Sequence, residues 1–239
     1  MRKEHRPYSV KKVHRRFQDL YAKHFTLPHF DSLGDGFTFM KPWHVKIFGP
    51  RIRMGNWVTI IAEPDKKVRL SVWSENGTNG SITIGNYSMI CPGVRIGSAD
   101  EIRIGDGCMF ADGVYVSDAD WHGIYNRIAI GKTSPVSIED NVWIGDSVIV
   151  CKGVTIGQNS IIGAGSVVAK SIPSNCIAAG NPAKIIKRLN PEQEIIKRAR
   201  LFSNPENLFQ EFDKFDRTFL KNNSFFHWLR TVLVPSKKD

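Results

Sequence analysis

From Ile138 onward an aliphatic residue returns at every sixth position: Ile138, Ile144, Val150, Ile156, Ile162 and Val168. The position after each is mostly small or acidic (Glu139, Gly145, Cys151, Gly157, Gly163, Ala169). The fourth position after carries Val142, Val148, Val154, Ser160 or Ser166. Shorter runs keep the same spacing earlier: Phe48–Met54–Ile60, Ile84–Ile90–Ile96 and Ile104–Phe110–Val116, with Gly55, Gly85, Gly97 and Gly105 in the second slot. Six residues are too few for a helix–turn unit; they fit one short strand and one tight bend. The pattern predicts a parallel β-solenoid whose aliphatic positions point inward. A Gly or Asn near each bend permits backbone conformations that other residues resist. One such unit cannot bury its own apolar residue, so the units stack into a continuous column.

The breaks in the period predict loops leaving the stack. One lies between Ile60 and Ile84 and includes the turn Asn76–Gly80; another lies between Val116 and Ile130, and Ile130 to Ile138 runs two residues over the period. Insertions of this kind tend to gather on a binding face. The ends have a different periodicity. Val10, Val13, Phe17, Leu20, Tyr21 and His24 fall at helical spacing, with Ser9 as N-cap and Lys11, Lys12, Arg15 and Arg16 on the other face. Pro191 is expected to open a helix carrying Ile195, Ile196, Ala199 and Phe202, and Phe209, Phe212, Phe215 and Phe219 suggest another. Phe225, Phe226, Trp228, Leu229, Val232 and Leu233 form a last apolar stretch. The expected organisation is a basic helical segment over 1–44, the solenoid over 45–183 with an insertion at 117–135, and a helical tail over 184–239.

The net charge of +10 is uneven. Residues 1–30 hold eight Lys/Arg against two acids, residues 184–239 twelve against seven, and residues 31–183 thirteen against fourteen. A neutral body with basic ends is not the pattern of a nucleic-acid binder. It suggests a polyanion, an anionic substrate or peripheral contact with an anionic membrane near the terminal helices, and solubility alone also explains it. No apolar run approaches the roughly 18 residues that span a bilayer. The start is basic but has no apolar core of a secretory signal. The four cysteines are scattered without a CxxC, which argues against disulfides and a thiolate zinc site. A cytoplasmic location, at most peripheral at the inner membrane face, is expected.

The stretch Pro135–Leu189 contains NVWIG (141–145), IGAGSVV (162–168) and AGNPAK (179–184). It resembles the hexapeptide-repeat acyltransferases, and is most similar to the maltose/galactoside and polysaccharide O-acetyltransferase branch. The resemblance implies an all-β left-handed β-helix with three hexads per turn, flanked here by helices. It also implies a homotrimer, acetyl-coenzyme A as co-substrate along the last coils, and transfer of an acetyl group to a sugar hydroxyl in polysaccharide or lipopolysaccharide assembly.

That chemistry needs a base for the acceptor hydroxyl and a donor for the oxyanion; histidine suits the first, a backbone N–H the second. Of the seven histidines, only His122 lies in a loop interrupting the solenoid, in Ser-Asp-Ala-Asp-Trp-His-Gly. The resemblance places the catalytic His on such a segment, so His122 is the candidate base, with Asp118 or Asp120 to orient it. Asn126 and Arg127 in the same loop are candidates for acceptor contact, with Asn86 and Trp143 as weaker ones that bend geometry and packing also explain. By the same resemblance Ala164, Ala169 and Lys170 match the pantetheine and phosphate path and Lys187 matches a phosphate contact, with Lys184 in the AGNPAK segment a second candidate. Cys91, Cys108 and Cys151 occupy repeat slots, so small-residue packing is the better reading than a nucleophile. A zinc site on the coil would need three histidines, and only His122 is placed for one. Residues 1–44 are too short for a nucleotide-binding domain. A small-molecule or amino-sugar acceptor, and a trimeric scaffold without activity, stay open.

Overall fold

A computed structural model describes residues 3–73, 80–129 and 131–237. The expected turn at Asn76–Asn79 and the register of Ile130 lie outside the described residues. The chain divides into two compact units, residues 21–200 and residues 1–20 with 201–239.

The larger unit is the solenoid. Three parallel sheets run along it. The first face stacks β1 (Ser32–Leu33), β4 (Ile52–Met54), β7 (Ile82–Ile84), β10 (Ile102–Ile104), β13 (Val136–Ile138) and β16 (Thr155–Ile156). The second stacks β2 (Thr38–Met40), β5 (Thr59–Ile61), β8 (Met89–Ile90), β11 (Met109–Phe110), β14 (Trp143–Ile144), β17 (Ile161–Ile162) and β19 (Cys176–Ala179), and ends on the antiparallel β20 (Lys184–Arg188). The third stacks β3 (Val45–Phe48), β6 (Val68–Val72), β9 (Arg95–Ser98), β12 (Tyr115–Ser117), β15 (Ile149–Val150) and β18 (Val167–Val168). Each circuit thus visits three faces, and parallel strands pair only with the circuits before and after. The inward column is the predicted one: Ile60, Ile90, Phe110, Ile144 and Ile162 on the second face are fully buried, as are Val150 and Val168 on the third. Phe48 is the exception, 55% exposed. Strand β3 turns Val45 and Ile47 to the core, and alternation sends Phe48 outward against Trp73 at 4.7 Å.

Two kinds of glycine serve the bends. Gly93, Gly107, Gly113, Gly153 and Gly165 sit three positions after an inward residue at positive φ, a slot that Asn141, Asn159 and Asn175 share. The second-slot glycines answer to crowding instead: a Cβ on Gly145 would lie 2.7 Å from the Ala164 nitrogen of the next circuit. Polar ladders run along the corners, such as Asn141–Asn159–Asn175, bonded side chain to side chain at 3.0 and 2.8 Å.

Beyond the coil the expected helix at Pro191 is absent. Only a short 3-10 turn, Arg198–Phe202, forms. Leu189 donates to the Asn175 carbonyl, while the Arg198 guanidinium donates to the Tyr87 carbonyl at 2.7 Å, four strand spacings back along the second face. Those spacings amount to about 19 Å. A helix over the nine residue steps from Leu189 to Arg198 would advance only about 13 Å. Open chain covers that distance with slack where a helix would be taut.

The smaller unit is helical: most of α1 (Tyr8–Tyr21), with α2 (Pro205–Phe219) and α3 (Phe225–Leu233). Ser9 is not a cap, because Lys11 already donates to the Pro7 carbonyl and Ser9 lies inside the first turn. Asn204 and Ser224 cap α2 and α3. The face of α1 turned inward is polar: Lys11 and Arg15 pair with the nearly buried Asp216, and the Tyr8 hydroxyl donates to Asp213 at 2.5 Å. Val13, Phe17 and Leu20, together with Phe209, Phe212, Phe215 and Phe219, are left exposed. No described helix is long and apolar enough to cross a membrane.

Candidate active site

The loop that holds His122 leaves from the third face. The outward residues of that face are paired circuit to circuit in the order Lys46, Arg69, Arg95, Tyr115, Ile149, Val167. At its edge with the first face, equivalent positions are Ser117–Asp118, Cys151–Lys152 and Ala169–Lys170. The insertion carrying His122 leaves from the first of these pairs, two circuits from Ala169 and Lys170.

The loop is a narrow hairpin. Ala119 bridges Thr133 antiparallel, Asp120 N donates to the Lys132 carbonyl, Gly131 N donates to the Asp120 carbonyl, and Gly123 N donates to the Ala129 carbonyl. Its root is held by Asp118, whose fully buried carboxylate accepts from Ser98 Oγ at 2.6 Å, Ala99 N at 2.8 Å and Asp100 N at 3.0 Å. Burial, outweighing those three donors, pushes the Asp118 carboxyl above the usual range. A second tie is Lys152 Nζ to Asp120 Oδ1 at 2.6 Å. Trp121 lies over Gly97, where a Cβ would come within 3.2 Å of the indole, and its Nε1 donates to the Tyr115 hydroxyl at 3.0 Å.

His122 is exposed and lines an open hollow of about 500 Å³ with Gly123, Ile124 and Arg127. Its Nδ1 is 2.9 Å from the Arg127 carbonyl oxygen. A carbonyl only accepts, so Nδ1 is the donor in this contact, and in the matching neutral tautomer the lone pair is on Nε2. Among the described residues, neither Asp118 nor Asp120 bonds this ring: the first anchors the root of the loop, the second takes Lys152. The ring's hydrogen-bond partner is instead a main-chain carbonyl five residues on.

The other expected residues fall in three groups. Asn126 and Arg127 share the loop; the Asn126 side chain is engaged by the Ile128 N–H at 3.3 Å. Ala164, Ala169 and Lys170 are exposed at the two ends of β18, and Lys184 and Lys187 stand on the exposed edge strand β20. Main-chain bonds from Val167 N to Gly180 O and from Ala183 N to Val167 O bring the approach to β20 alongside β18. Asn86 and Trp143 lie elsewhere in this chain. Asn86 belongs to a corner ladder, accepting from Asn56 N at 2.8 Å and donating to Asp106. Trp143 is outward on the second face between Met109 and Ile161. All four cysteines are free thiols; Cys108 is buried, and burial pushes its thiol up to about 12, as befits packing rather than attack. The sequence reading missed Tyr115, Trp121 and Lys152, though counting circuits from Val116 through Val150 to Val168 would have aligned Lys152 and Lys170 beneath the loop.

The family model for bacterial transferase hexapeptide (six repeats) matches residues 135–170. Galactoside O-acetyltransferase of Escherichia coli K12 is 41% identical over 92 residues, 37% of this chain and 45% of that protein. WbbJ of the same organism, provisionally named a lipopolysaccharide biosynthesis O-acetyl transferase, is 35% identical over 118 residues, 44% of this chain and 60% of that protein. The chain spans about half the length of the curated relatives it matches. Among solved structures, the hexapeptide-repeat containing acetyltransferase VCA0836 of Vibrio cholerae, complexed with acetyl coenzyme A, has a TM-score of 0.50 at 24% identity, covering 76% of this chain and 88% of that one. This is a likeness of fold. The hexapeptide-repeat resemblance read from the sequence is borne out.

Proposed function

We propose that the chain is an acetyl-coenzyme A-dependent O-acetyltransferase that moves the acetyl group directly to a sugar hydroxyl, with His122 as general base. The observation that carries this reading is the His122 ring, which is held through Nδ1 by the Arg127 carbonyl, leaves Nε2 for the acceptor and lines an open hollow. Nε2 takes the acceptor hydroxyl proton as the oxygen attacks the thioester carbon. When the C–S bond breaks, the imidazolium returns that proton to the leaving sulfur. No covalent bond to the protein is needed.

Residues of the third face and of the adjoining strand β20 suit the co-substrate. Ile149 and Val167 offer an apolar wall beside the small Ala164 and Ala169, suited to a pantetheine arm. Lys170, Lys184 and Lys187 are exposed and, among the described residues, in no ion pair, suited to phosphates. The complex named for the Vibrio protein and the names of the Escherichia coli relatives support this direction. WbbJ's name supports an acceptor in polysaccharide or lipopolysaccharide assembly. The same family likeness supports a left-handed coil and a homotrimer. The loop tip agrees with a neighbouring copy, since Ile124, Tyr125 and Ile128 beside His122 are 73%, 99% and 97% exposed. The exposed aromatic residues and basic charge of the helical unit support peripheral contact with an anionic inner-membrane face.

The test is incubation with acetyl-coenzyme A and a panel of mono- and oligosaccharides, read by mass spectrometry. A gain of one acetyl group on a hydroxyl, absent with His122→Ala, is expected. Acetylation confined to amines, or undiminished by the substitution, would overturn the assignment.

A further inference from the structure

The upper half of the third face has an unusual charge arrangement. Lys46, Arg69 and Arg95 are outward, exposed and directly paired on three successive parallel strands. Neighbouring strands are about 4.8 Å apart, so like charges are held side by side, a placement that opposes folding. Among the described residues, neither Lys46 nor Arg69 meets a carboxylate. Arg95 lies over the Tyr115 ring at 4.6 Å. The same file continues into the site, because Tyr115 holds Trp121 and Trp121 precedes His122. Aromatic rings flank it, with Phe48 against Trp73 at 4.7 Å and Trp73 edge-on to Trp121 at 6.5 Å. Phe48 and Trp73 are about half exposed.

We propose that this file is the binding track for the acceptor and that the acceptor is an acidic glycan, one bearing carboxylates along its chain. This rests on the acetyltransfer reading above and specifies its substrate class. Three cations over about two strand spacings match a short row of anionic groups. The aromatic rings match the apolar faces of sugar rings. The body from 31 to 183 carries thirteen Lys/Arg against fourteen acids, so no general field gathers polyanions there and recognition is local to the file. That argues against a nucleic acid. A lipid headgroup layer would be read by a broad surface, and the broad exposed apolar surface belongs to the helical unit.

The experiment measures binding of polygalacturonate oligosaccharides and of neutral maltooligosaccharides of equal length to the full chain, alongside acetyl-coenzyme A binding and thermal stability. The acidic oligosaccharides are expected to bind at least tenfold more tightly, with a strong dependence on salt. The double substitution Lys46→Gln with Arg69→Gln should remove most of that difference. It should leave acetyl-coenzyme A binding intact and the melting temperature unchanged or higher, while Lys46→Arg with Arg69→Lys keeps the binding. Equal binding of the neutral series, or indifference to the double substitution, overturns the track. So does a double variant that loses sedimentation with phosphatidylglycerol vesicles while keeping the oligosaccharide. Acetyl-coenzyme A binding without acidic-glycan binding defeats the track alone; the reverse result leaves the track and defeats the acetyltransfer reading.

Discussion

Replacing His122 with alanine separates chemistry from folding. The ring is exposed and makes one hydrogen bond, to the Arg127 carbonyl within its own loop. Losing such a bond costs about 0.5–1.5 kcal/mol at most, and here the freed carbonyl can turn to water. The hairpin keeps its main-chain bonds and both anchors, Asp118 on Ser98 and Asp120 on Lys152. The melting temperature should therefore stay within a few degrees. A general base contributes about 10²- to 10⁴-fold to rate, which corresponds to roughly 3–5.5 kcal/mol of barrier. The variant should lose that factor in kcat while binding acetyl-coenzyme A as before. His122→Asn sharpens the test: its amide can still donate to the Arg127 carbonyl but has no basic nitrogen, so it should be as slow as alanine. Turnover is best followed by thioester absorbance, because the half-buried Cys91 and Cys151 would consume thiol reagents. The reasoning fails if the asparagine variant keeps more than a tenth of the parental kcat, or if the acidic limb of the pH–rate profile survives the alanine change.

Three further outcomes are expected. Phe110 fills the coil centre and is fully buried, so Phe110→Ala should cost about 3–5 kcal/mol in urea unfolding. Asp118→Asn leaves at least one of three donors facing an amide N–H, a cost of about 1–3 kcal/mol. Because burial raises the folded-state pKa of Asp118, its proton-linked contribution is present below the ordinary carboxylate pKa and lost as pH rises through the raised value. The penalty of Asp118→Asn should thus grow as pH falls from neutral towards the carboxylate range; a penalty growing in the other direction contradicts this. Reversing Lys184 and Lys187 to Glu should weaken acetyl-coenzyme A binding roughly tenfold or more by calorimetry, and the effect should shrink as salt is raised.

The solenoid was legible because its cause is periodic. A residue repeated every sixth position must occupy an equivalent place on successive sides of the coil, and Ile138 through Val168 do so. The loop of His122 was legible as an interruption of that period, and chemistry then singled out the one histidine in it. The sequence alone did not show where each side chain spends its hydrogen bonds. Asp118 and Asp120 stand near His122 along the chain, yet one turns into the coil to meet Ser98 and the other reaches Lys152, thirty-two residues on. The ends misled for a related reason. The apolar spacing of α1 marked out a helix but not which face turns inward, because Asp216 draws Lys11 and Arg15 inward. The segment after Pro191 had helical spacing, but Arg198 must reach Tyr87 far back along the coil. Local sequence determines which units can form and repeat. Partners distant in sequence decide which carboxylate is an anchor, which cation is paired, and which three cations stand side by side on one wall, because only stacking circuits brings residues such as Lys46, Arg69 and Arg95 together.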